Sequence, residues 1–480
     1  MFSGFDFGTS NCAMGIVNGG DSRGDSDVAS EVQLLPIDQG EVFMPSALYA
    51  LNRDLICESA ALLMKDKQAQ DDYVSQRTRQ LASAQRVRLS DDLSSDVATV
   101  FVGQEAYDQY LSLPDEGYFV KSIKSFLGAS GLHLQSIQLF EDIVTVMMLN
   151  IKQRAEQSIG ESIGEVISEG IDNGVANTIS HAVIGRPVNF QGIDSDESNR
   201  RAIEILTVAA KRAGFVSVEF LFEPLAAGLD FEMALTENKT VLVVDVGGGT
   251  TDCSMVRMGP SYRDKTVRLD DVLANSGSRV GGNDFDIQLA GNAFMPLFGL
   301  NSHFKDGRVI PNQVFWNAVR TNNVGEQAKF NGKETGFTLQ QYLMECQKPD
   351  LLSRFIHMRD HKKNHQLVRM AEKTKILLSG QTHCDIDLAF FEESLSCSVT
   401  REQFSSAVEH EVSSMIKLID EVVNQAGCQP DLVYITGGTA KAQVIREAIE
   451  LKLEGINIVD GDHFGSVAKG LTVWAQRLFS

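Results

Sequence analysis

Three short turns that combine glycine with Asp, Thr or Ser are spread along the chain. Their sequences are DFGTSN at residues 6–11, DVGGGTTD at 245–252 and ITGGT at 435–439. Glycine lets backbone N–H groups approach a phosphate, because no Cβ stands in the way. An aspartate at a strand end can hold Mg²⁺, usually through water, since this ion sheds its water reluctantly. The residue types therefore indicate phosphate and magnesium chemistry.

Each turn alone is a weak signal. A Gly-Gly pair between two strands is ordinarily a hairpin turn with positive φ, and for residues 435–439 the two interpretations are equally open. All three turns in this order are much harder to explain by chance. The chain has neither a P-loop nor a well-placed Rossmann glycine motif, so these common phosphate cradles do not compete. Two Asp–Gly–Thr hairpins in separate halves favour two lobes that close on one triphosphate.

Composition bounds the class of protein. The chain has 480 residues, 43% hydrophobic and 22% charged, which is typical of a large α/β protein with two or more lobes. Its formal net charge of −21 argues against nucleic acid as a partner, because phosphate backbones are bound by Lys and Arg. Seven scattered cysteines without a C-x-x-C pair predict reduced thiols, neither a disulfide framework nor a zinc site. No signal-like start and no apolar run of about 18 residues occur, so we expect a cytoplasmic protein that does not bind or span a membrane.

The pattern along the chain is repeated. A strand, a glycine turn and a second strand open each half, and helices follow. The apolar run at 241–244 predicts a buried strand, and 182–187 a short strand that ends at a proline. Residues 19–31 are predicted to be an exposed loop, and 290–370 an elaborated insertion without a recognisable motif. Helices are predicted at 139–159, 198–213, 223–235 and 464–478.

These motifs resemble those of the DnaK-type chaperones, the heat shock protein 70 class within the actin-like superfamily. GGNDFD together with the Glu-Pro helix start separates this class from sugar kinases and filament-forming actins, which share the phosphate turns. The matching segments span the whole chain and are the three glycine turns, Arg186 with Pro187, Glu223 with Pro224 and the following AAG at 226–228, and GGNDFD at 281–286.

The resemblance implies an α/β fold, the actin-like ATPase fold with duplicated ribonuclease H-like lobes and inserted subdomains. Lobe I would comprise residues 1–237 and 461–480, with an inserted subdomain at about 36–150. Lobe II would comprise 238–460, with an inserted subdomain at about 281–400. The ligand would lie between the two lobes.

The resemblance also implies ATP or ADP and Mg²⁺ as cofactors and assigns site residues. Asp6 and Asp245 would hold the water shell of Mg²⁺. Lys124 would steady the γ-phosphate and the attacking water, and its spacing to Phe-Leu-Gly favours it over Lys121. The catalytic set is Lys124, Glu223, Thr250 and Asp252, in which Glu223 and Asp252 orient the water. The expected nucleotide contacts are Gly8, Thr9, Ser10, Asn11, Gly247, Gly248, Gly249, Thr250, Gly282, Glu372, Lys375, Gly437, Gly438, Thr439 and Lys441.

Three departures from the family pattern affect these expectations. Ile376 stands where the family usually places an arginine on the adenine ring, which removes a cation–π contact of roughly 0.5–2 kcal/mol. The aspartate expected near Phe464 is displaced to Asp462. The chain also leaves no room after Gly438 for the family's peptide-binding domain, so we expect that domain to be lacking.

The resemblance therefore implies an ATP-binding, ATP-hydrolysing chaperone-like protein whose partners are nucleotide and unidentified client or co-chaperone proteins. Two alternatives remain open, a small-molecule kinase of the same superfamily and a non-catalytic scaffold gated by ATP. His357, His361 and His365 have the spacing of one helix face and could bind a metal, but the charged residues between them favour a solvated helix.

Overall fold

The computed structural model describes residues 1–17, 32–113, 116–129, 131–167, 178–190, 195–265, 267–462 and 465–480. The loop predicted at 19–31 lies outside the described residues, and so does Phe464. The strands are, in chain order, β1 (Phe2–Phe7), β2 (Asn11–Val17), β3 (Val32–Leu34), β4 (Met44–Pro45), β5 (Ala47–Ala50), β6 (Val100–Val102), β7 (Tyr118–Lys121), β8 (His181–Arg186), β9 (Ser217–Phe222), β10 (Lys239–Val246), β11 (Thr251–Met258), β12 (Val272–Ser278), β13 (His383–Asp387), β14 (Ser396–Thr400), β15 (Leu432–Thr436) and β16 (Asn457–Asp460).

The α-helices confirm the mixed α/β prediction, with shifted ends. The helix predicted at 139–159 is longer in the structure, where it begins at Leu134 and ends at Ile167. The helices are α1 (Leu55–Leu63), α2 (Lys67–Gln76), α3 (Thr78–Ser90), α4 (Gln104–Ser112), α5 (Leu134–Ile167), α6 (Ser195–Arg212), α7 (Glu223–Glu232), α8 (Gly282–Leu289), α9 (Gln313–Val319), α10 (Val324–Asn331), α11 (Lys333–Glu345), α12 (Pro349–Asp360), α13 (Asn364–Gly380), α14 (Arg401–Ala407), α15 (Glu409–Ala426), α16 (Gln443–Lys452) and α17 (Ser466–Phe479). Among the described residues, none of these helices combines the length and apolar composition needed to cross a membrane.

Two sheets share one strand order. In the first sheet the order is β3-β2-β1-β8-β9, with β4 also paired to β2, and in the second it is β12-β11-β10-β15-β16. In both sheets the first two pairings are antiparallel and the last two are parallel. The strands β1 and β10 therefore occupy equivalent central positions, and the chain repeats one α/β unit.

The register of these strands places the predicted aspartates at equivalent points. Asp6 is the last residue but one of β1, and Asp245 is the last residue but one of β10. Asp245 lies opposite Asp252 on β11 and opposite Thr436 on β15. Because the carboxyl ends of parallel strands meet at one edge of a sheet, the glycine turns of each half are brought to that edge.

The closing helix α17 lies between the two sheets. One apolar cluster joins Leu471 of α17 to Val183 of β8 and Val243 of β10. The approach is close, because a Cβ on Gly4 of β1 would lie 2.2 Å from the backbone nitrogen of Thr472. The last helix of the chain therefore packs with the first strand and holds the two sheets together.

Each sheet carries an insertion, and the two insertions touch. The first contains the small sheet β6-β5-β7 with α1 to α4, and the second contains α9 to α13 and the β13-β14 hairpin. The Tyr110 hydroxyl donates a hydrogen bond of 2.8 Å to the Lys362 carbonyl. The Arg369 guanidinium lies 3.8 Å from the centre of the Tyr107 ring. These contacts join the two halves at a distance from the central sheets.

The prediction of one solvated histidine helix is wrong. The helix α12 ends at Asp360, and α13 begins at Asn364. His365 lies edge-on to the Phe119 ring at 5.4 Å, in contact with the first insertion. Burial and the neighbouring Lys121 lower the pKa of His365 to about 3. Among the described residues, no group of three or more His, Cys, Asp or Glu side chains is arranged to hold a metal ion directly.

Candidate functional site

A cleft of about 330 Å³ opens between the two sheets at their glycine turns. Both sheets supply its walls, as the repeated strand order requires. The predicted residues that line it are Asp6, Gly8, Thr9, Ser10, Asn11, Glu223, Asp245, Gly247, Gly248, Thr250, Gly282, Glu372, Lys375, Gly437, Gly438 and Thr439. The structure thus brings all three glycine turns into one concave site.

The first two turns face each other closely. A Cβ on Gly248 would lie 1.8 Å from the Ser10 hydroxyl oxygen, and a Cβ on Gly249 would lie 2.6 Å from the Thr9 methyl carbon. Any side chain at these two positions would push the turns apart. The glycines therefore allow two backbone turns from separate sheets to approach one small ligand.

The third turn is held against the second. Gly437 has φ of +89°, and a Cβ there would lie 2.6 Å from a carboxylate oxygen of Asp245. The Thr439 hydroxyl donates to the Gly247 carbonyl at 3.0 Å. The backbone N–H of Gly282 donates to the same carbonyl, also at 3.0 Å. The start of α8 and the 435–439 turn are thus both fixed to the 245–252 turn.

Helix α13 supplies charged side chains to the rim of the cleft. The Lys375 ammonium lies 2.7 Å from a carboxylate oxygen of Asp286 and donates to the Gly282 carbonyl at 3.1 Å. Burial alone would raise the pKa of Glu372, but Lys121 and Lys375 outweigh it and lower that pKa. Ile376 also lines the cleft and is 63% exposed, so it offers an apolar surface where an arginine was expected.

A second polar cavity of about 340 Å³ adjoins the cleft. Lys124 and Gly249 line it, and Thr9 and Thr250 line both spaces. The two spaces therefore meet at the glycine turns. Lys441 is exposed and lines neither of them, so the structure does not bring it to the other predicted nucleotide contacts.

Lys124 is buried and pairs with Glu223. It lies on a 3-10 turn (Ile123–Phe126), and its ammonium donates to the Glu223 carboxylate and, at 3.4 Å, to the Gly185 carbonyl. Burial alone would lower the pKa of Lys124, but Glu223 and Asp6 outweigh it and raise that pKa. The lysine is therefore a fixed cation beside the glycine turns.

Asp252 links the two sheets. Its carboxylate accepts a hydrogen bond of 2.8 Å from the backbone N–H of Val188, which follows β8 of the first sheet. Thr250 also donates to this carboxylate, and a Cβ on Gly277 would lie 2.4 Å from it. The side chain is thus held in one position at the junction of the sheets.

Three aspartates of the site have raised pKa values. Burial, with Glu223 nearby, raises the pKa of Asp6 and of Asp252 to about 7 each, and it raises that of Asp245 well above the ordinary value. These three aspartates and Glu223 lie around one ammonium group, that of Lys124. This excess of buried negative charge fits a site that receives a cation.

The donor set also fits magnesium held through water. Asp6 and Asp245 come from equivalent strands on opposite sides of the cleft, and the remaining ligands would be water and phosphate oxygens. Mg²⁺ typically binds in this way, through one or two carboxylates and its own water. A direct cage of protein ligands is not required.

Several lining residues were not among the predicted contacts. Asn283 and Asp286 lie within the GGNDFD motif, which was recognised without a role for these two side chains. The Asn283 amide donates to the Ser122 hydroxyl at 3.0 Å and so joins α8 to the lysine-bearing segment. Phe43 and Val467 lie outside every motif, and only tertiary packing brings them to the cleft.

Comparison with known proteins places the chain in a family. The model of the family described as "Hsp70 protein" matches residues 101–303 and 325–476, which is more than half of the chain. Similar curated proteins include "Chaperone protein dnaK3" of Synechococcus elongatus, 26% identical over 278 residues, which cover 56% of this chain and 28% of that protein. "Chaperone protein dnaK" of Emiliania huxleyi is 24% identical over 370 residues, which cover 73% of this chain and 48% of that protein. The chain thus spans less than half the length of these relatives, and the family match shows that it belongs to the Hsp70 family.

Proposed function

We propose that the chain binds Mg-ATP and Mg-ADP between two lobes of the actin-like ATPase fold, each built on a ribonuclease H-like unit. Lobe I would be residues 1–237 with 461–480, and lobe II residues 238–460, with insertions at about 36–150 and 281–400. One observation carries the proposal. Phosphate turns from two sheets of identical strand order meet face to face, with a third glycine turn fixed beside them.

The phosphates would lie between the first two turns. Backbone N–H groups at 8–11 and 248–250, with the hydroxyls of Thr9 and Ser10, supply donors at that point. The adenosine would lie towards Gly437, Gly438 and Glu372, with Lys375 at the rim. Because Ile376 replaces the expected arginine, adenine would be held by apolar contact there and not by a cation.

Magnesium would be held by Asp6 and Asp245 through water. When bound, it would neutralise phosphate charge. Its positive charge would also relieve the repulsion that raises the pKa values of the buried carboxylates. The chain's own part is to hold these two carboxylates at equivalent strand ends, so that neither needs to move when the ligand enters.

Hydrolysis to ADP and phosphate would need little covalent chemistry from the protein. Positioning and charge stabilisation supply most of the catalysis in phosphoryl transfer. Lys124 would place a cation at the γ-phosphate, while Glu223 and Asp252 would orient the attacking water. The pKa of about 7 for Asp252 suits a group that accepts a proton near neutral pH.

We propose that the chain has a chaperone-like role in the cell. It rests on membership of the Hsp70 family and on relatives whose names are chaperone proteins. Client or co-chaperone proteins would be its partners, with the nucleotide-dependent closure of the lobes as the signal. A scaffold that closes on ATP without hydrolysing it would use the same contacts.

All seven cysteines are free thiols, which supports a reducing compartment such as the cytoplasm.

A small-molecule kinase is the second candidate, and the polar cavity beyond the phosphate turns is the observation that favours it. That space is lined by Asp284, Glu411 and Asn322 and opens at Thr250. An acceptor hydroxyl could be held there, close to a terminal phosphate. Such an enzyme would consume ATP only when its acceptor is present.

Phosphate release from Mg-ATP tests the proposal. We expect slow release by the wild-type chain without an acceptor, and almost none by Asp245→Asn. Replacing the exposed Glu454 by Gln should leave the rate unchanged, since that residue lies away from the cleft. Consumption of ATP that requires a polyol and yields a phosphorylated polyol would favour the kinase. Tight binding of Mg-ATP without turnover would favour the scaffold.

A further inference from the structure

A cavity of about 790 Å³ lies between the two insertions. The first insertion supplies one wall, including Tyr110 and Phe119, and the second supplies the other, including Gln327, Ala328 and His365. It shares no lining residue with the nucleotide cleft or with the polar cavity beside it. It is therefore a separate site that spans both halves of the molecule.

One wall of this cavity is a packed group of aromatic rings, in which Phe119 is half-buried while Tyr110, Phe126 and Phe140 are almost fully buried. The rings of Tyr110 and Phe119 stack with centres 4.4 Å apart and planes 13° apart, and His365 meets Phe119 edge-on at 5.4 Å. Phe126 stacks on Phe140 at 6.1 Å. Because these rings already hold one another, an apolar ring could bind without ordering them first.

The cavity is also locally positive in a strongly acidic chain. Four cationic side chains, Arg53, Lys121, Arg359 and Lys362, line it against two carboxylates, Glu116 and Asp360. The chain as a whole has a net charge of −21. Asp360 pairs with Arg359 at 2.9 Å, whereas the side chains of Arg53 and Lys362 have no ion pair within the described parts of the chain. An anionic group would find positive charge here that most of the surface does not offer.

We propose that this cavity binds a small amphipathic anion, a molecule with an aromatic or alicyclic ring and a carboxylate or sulfonate group. The ring would lie against the half-buried Phe119, which the stacked Tyr110 ring holds in place, and the anionic group would face Arg53 and Lys362. A ligand in this position touches both insertions. It adds to the existing Tyr110–Lys362 hydrogen bond that joins them.

The cavity shares one segment with the phosphate site. Lys121 and Phe126 line the cavity, while Lys124 and Ser125, between them in sequence, line the polar space at the phosphate turns. Within this segment, the Ser122 hydroxyl accepts from Asn283 at the start of α8. Occupancy would therefore stabilise the arrangement in which the halves are closed and would slow release of bound nucleotide. This effect on nucleotide release rests on the proposed function.

The fluorescent anion 8-anilinonaphthalene-1-sulfonate, titrated into the full chain without nucleotide, tests binding. We expect one saturable site, from which 1-naphthoate displaces the probe more effectively than the uncharged 1-naphthalenemethanol. Ala328→Trp should remove this site, because the exposed Ala328 lines the cavity, whereas the exposed Ala82→Trp should retain it. Arg53→Gln and Lys362→Gln should each weaken binding about twofold to fivefold, the range for exposed charges.

Unchanged probe binding in Ala328→Trp, or equal competition by the acid and the alcohol, would overturn the site. Circular dichroism of each variant separates lost binding from lost folding. For the coupling, we expect saturating 1-naphthoate to slow dissociation of N-methylanthraniloyl-ADP about fivefold or more, which lies within the usual range of allosteric coupling. Ala328→Trp should abolish this slowing. An unchanged rate in the wild type would overturn the coupling, whereas failure of the labelled ADP to bind would overturn the proposed function and leave the probe titration to decide the cavity.

Discussion

The Asp252 carboxylate accepts a hydrogen bond of 2.8 Å from the backbone N–H of Val188, although the two residues belong to different halves of the molecule. Asp252 lies on β11 of the second sheet, and Val188 follows β8 of the first sheet, directly after Pro187. A residue proposed to orient water is therefore also a contact that fixes the two sheets relative to each other.

Two substitutions at this position separate the charge from the contact. Asp252→Asn keeps an oxygen that can accept from Val188 but loses the basic group. We expect Mg-ADP affinity to stay within a few-fold of wild type while hydrolysis falls about 10²–10⁴-fold, the usual effect of removing a general base. Relative to Asp252→Asn, Asp252→Ala should destabilise the fold by about 1–3 kcal/mol, because it leaves the buried Val188 N–H without a partner. Single-turnover hydrolysis and thermal unfolding measure the two effects, and wild-type turnover by Asp252→Asn would remove Asp252 from the mechanism.

Lys124→Ala should stop hydrolysis and spare binding. The substitution removes a buried cation beside the phosphate turns, while backbone donors and the carboxylates that face Mg²⁺ remain. A preorganised electrostatic contact is typically worth about 10²–10³ in rate. Phosphate release and labelled-ADP affinity should be measured together, with the exposed Lys333→Ala as the control. If both variants hydrolyse ATP equally well, the assignment of Lys124 is mistaken.

The local parts of the site were predictable from the sequence, because each is formed by a short continuous segment with a recognisable pattern. A β-branched run followed by Asp and glycines predicts a strand that ends in a glycine turn, and β10 has this structure. The contacts between turns were not predictable in this way. The Lys124–Glu223 pair joins residues that are 99 positions apart. Glu223 directly follows β9, and the pairing of β9 with β8 places it beside Gly185, whose carbonyl also accepts from Lys124.

The break between α12 and α13 shows why the histidine prediction failed. No glycine or proline marks residues 361–363, and the helical spacing of the histidines continues across them. In the structure Lys362 has φ of +47°, and its carbonyl accepts from Tyr110 of the other insertion. A contact from the distant insertion accompanies the break. The helical spacing of the histidines reflects only local sequence, so it could not indicate this break. Phe43 was also missed as a cleft residue, because only contacts between distant parts of the chain bring it there.

The raised pKa of Asp6 predicts a pH dependence of stability. Burial, with Glu223 nearby, raises this pKa to about 7, so the native carboxyl keeps a proton between about pH 4 and pH 7 that the unfolded chain has lost. Ionisation of Asp6 therefore lowers the stability of the ligand-free protein as pH rises through this range, and the full cost is present above pH 7. Asp6→Asn should gain on the order of 1–3 kcal/mol relative to wild type between pH 5 and pH 8.

The free energy of unfolding of Asp6→Asn and of the wild type, measured by denaturant at pH 5 and pH 8 without Mg²⁺ or nucleotide, checks this expectation. The exposed Glu454→Gln should show no comparable gain. A relative stability of Asp6→Asn that is unchanged or that falls as pH rises would contradict the electrostatic description of the site.

Gly437 and Gly427 form a matched pair for the third turn. Both have positive φ, +89° and +65°, but a Cβ on Gly437 would lie 2.3 Å from the Val246 carbonyl oxygen, whereas no atom lies within 4 Å of a Cβ on Gly427. Alanine at either position should cost about 1 kcal/mol or more in backbone strain. Only Gly437→Ala should also weaken Mg-ADP binding, because it displaces the strand end that holds Asp245. Equal nucleotide affinity in the two variants would show that this turn does not shape the site.

Thermal unfolding of the wild-type chain with saturating Mg-ADP, and separately with Mg-ATP, tests the central claim most directly. A ligand at about 100 times its dissociation constant should stabilise the fold by about 2.7 kcal/mol, and withholding Mg²⁺ should reduce the gain. We predict a clear rise in Tm that depends on Mg²⁺ and is smaller in Asp245→Asn. An unchanged Tm with both nucleotides would contradict nucleotide binding between the glycine turns.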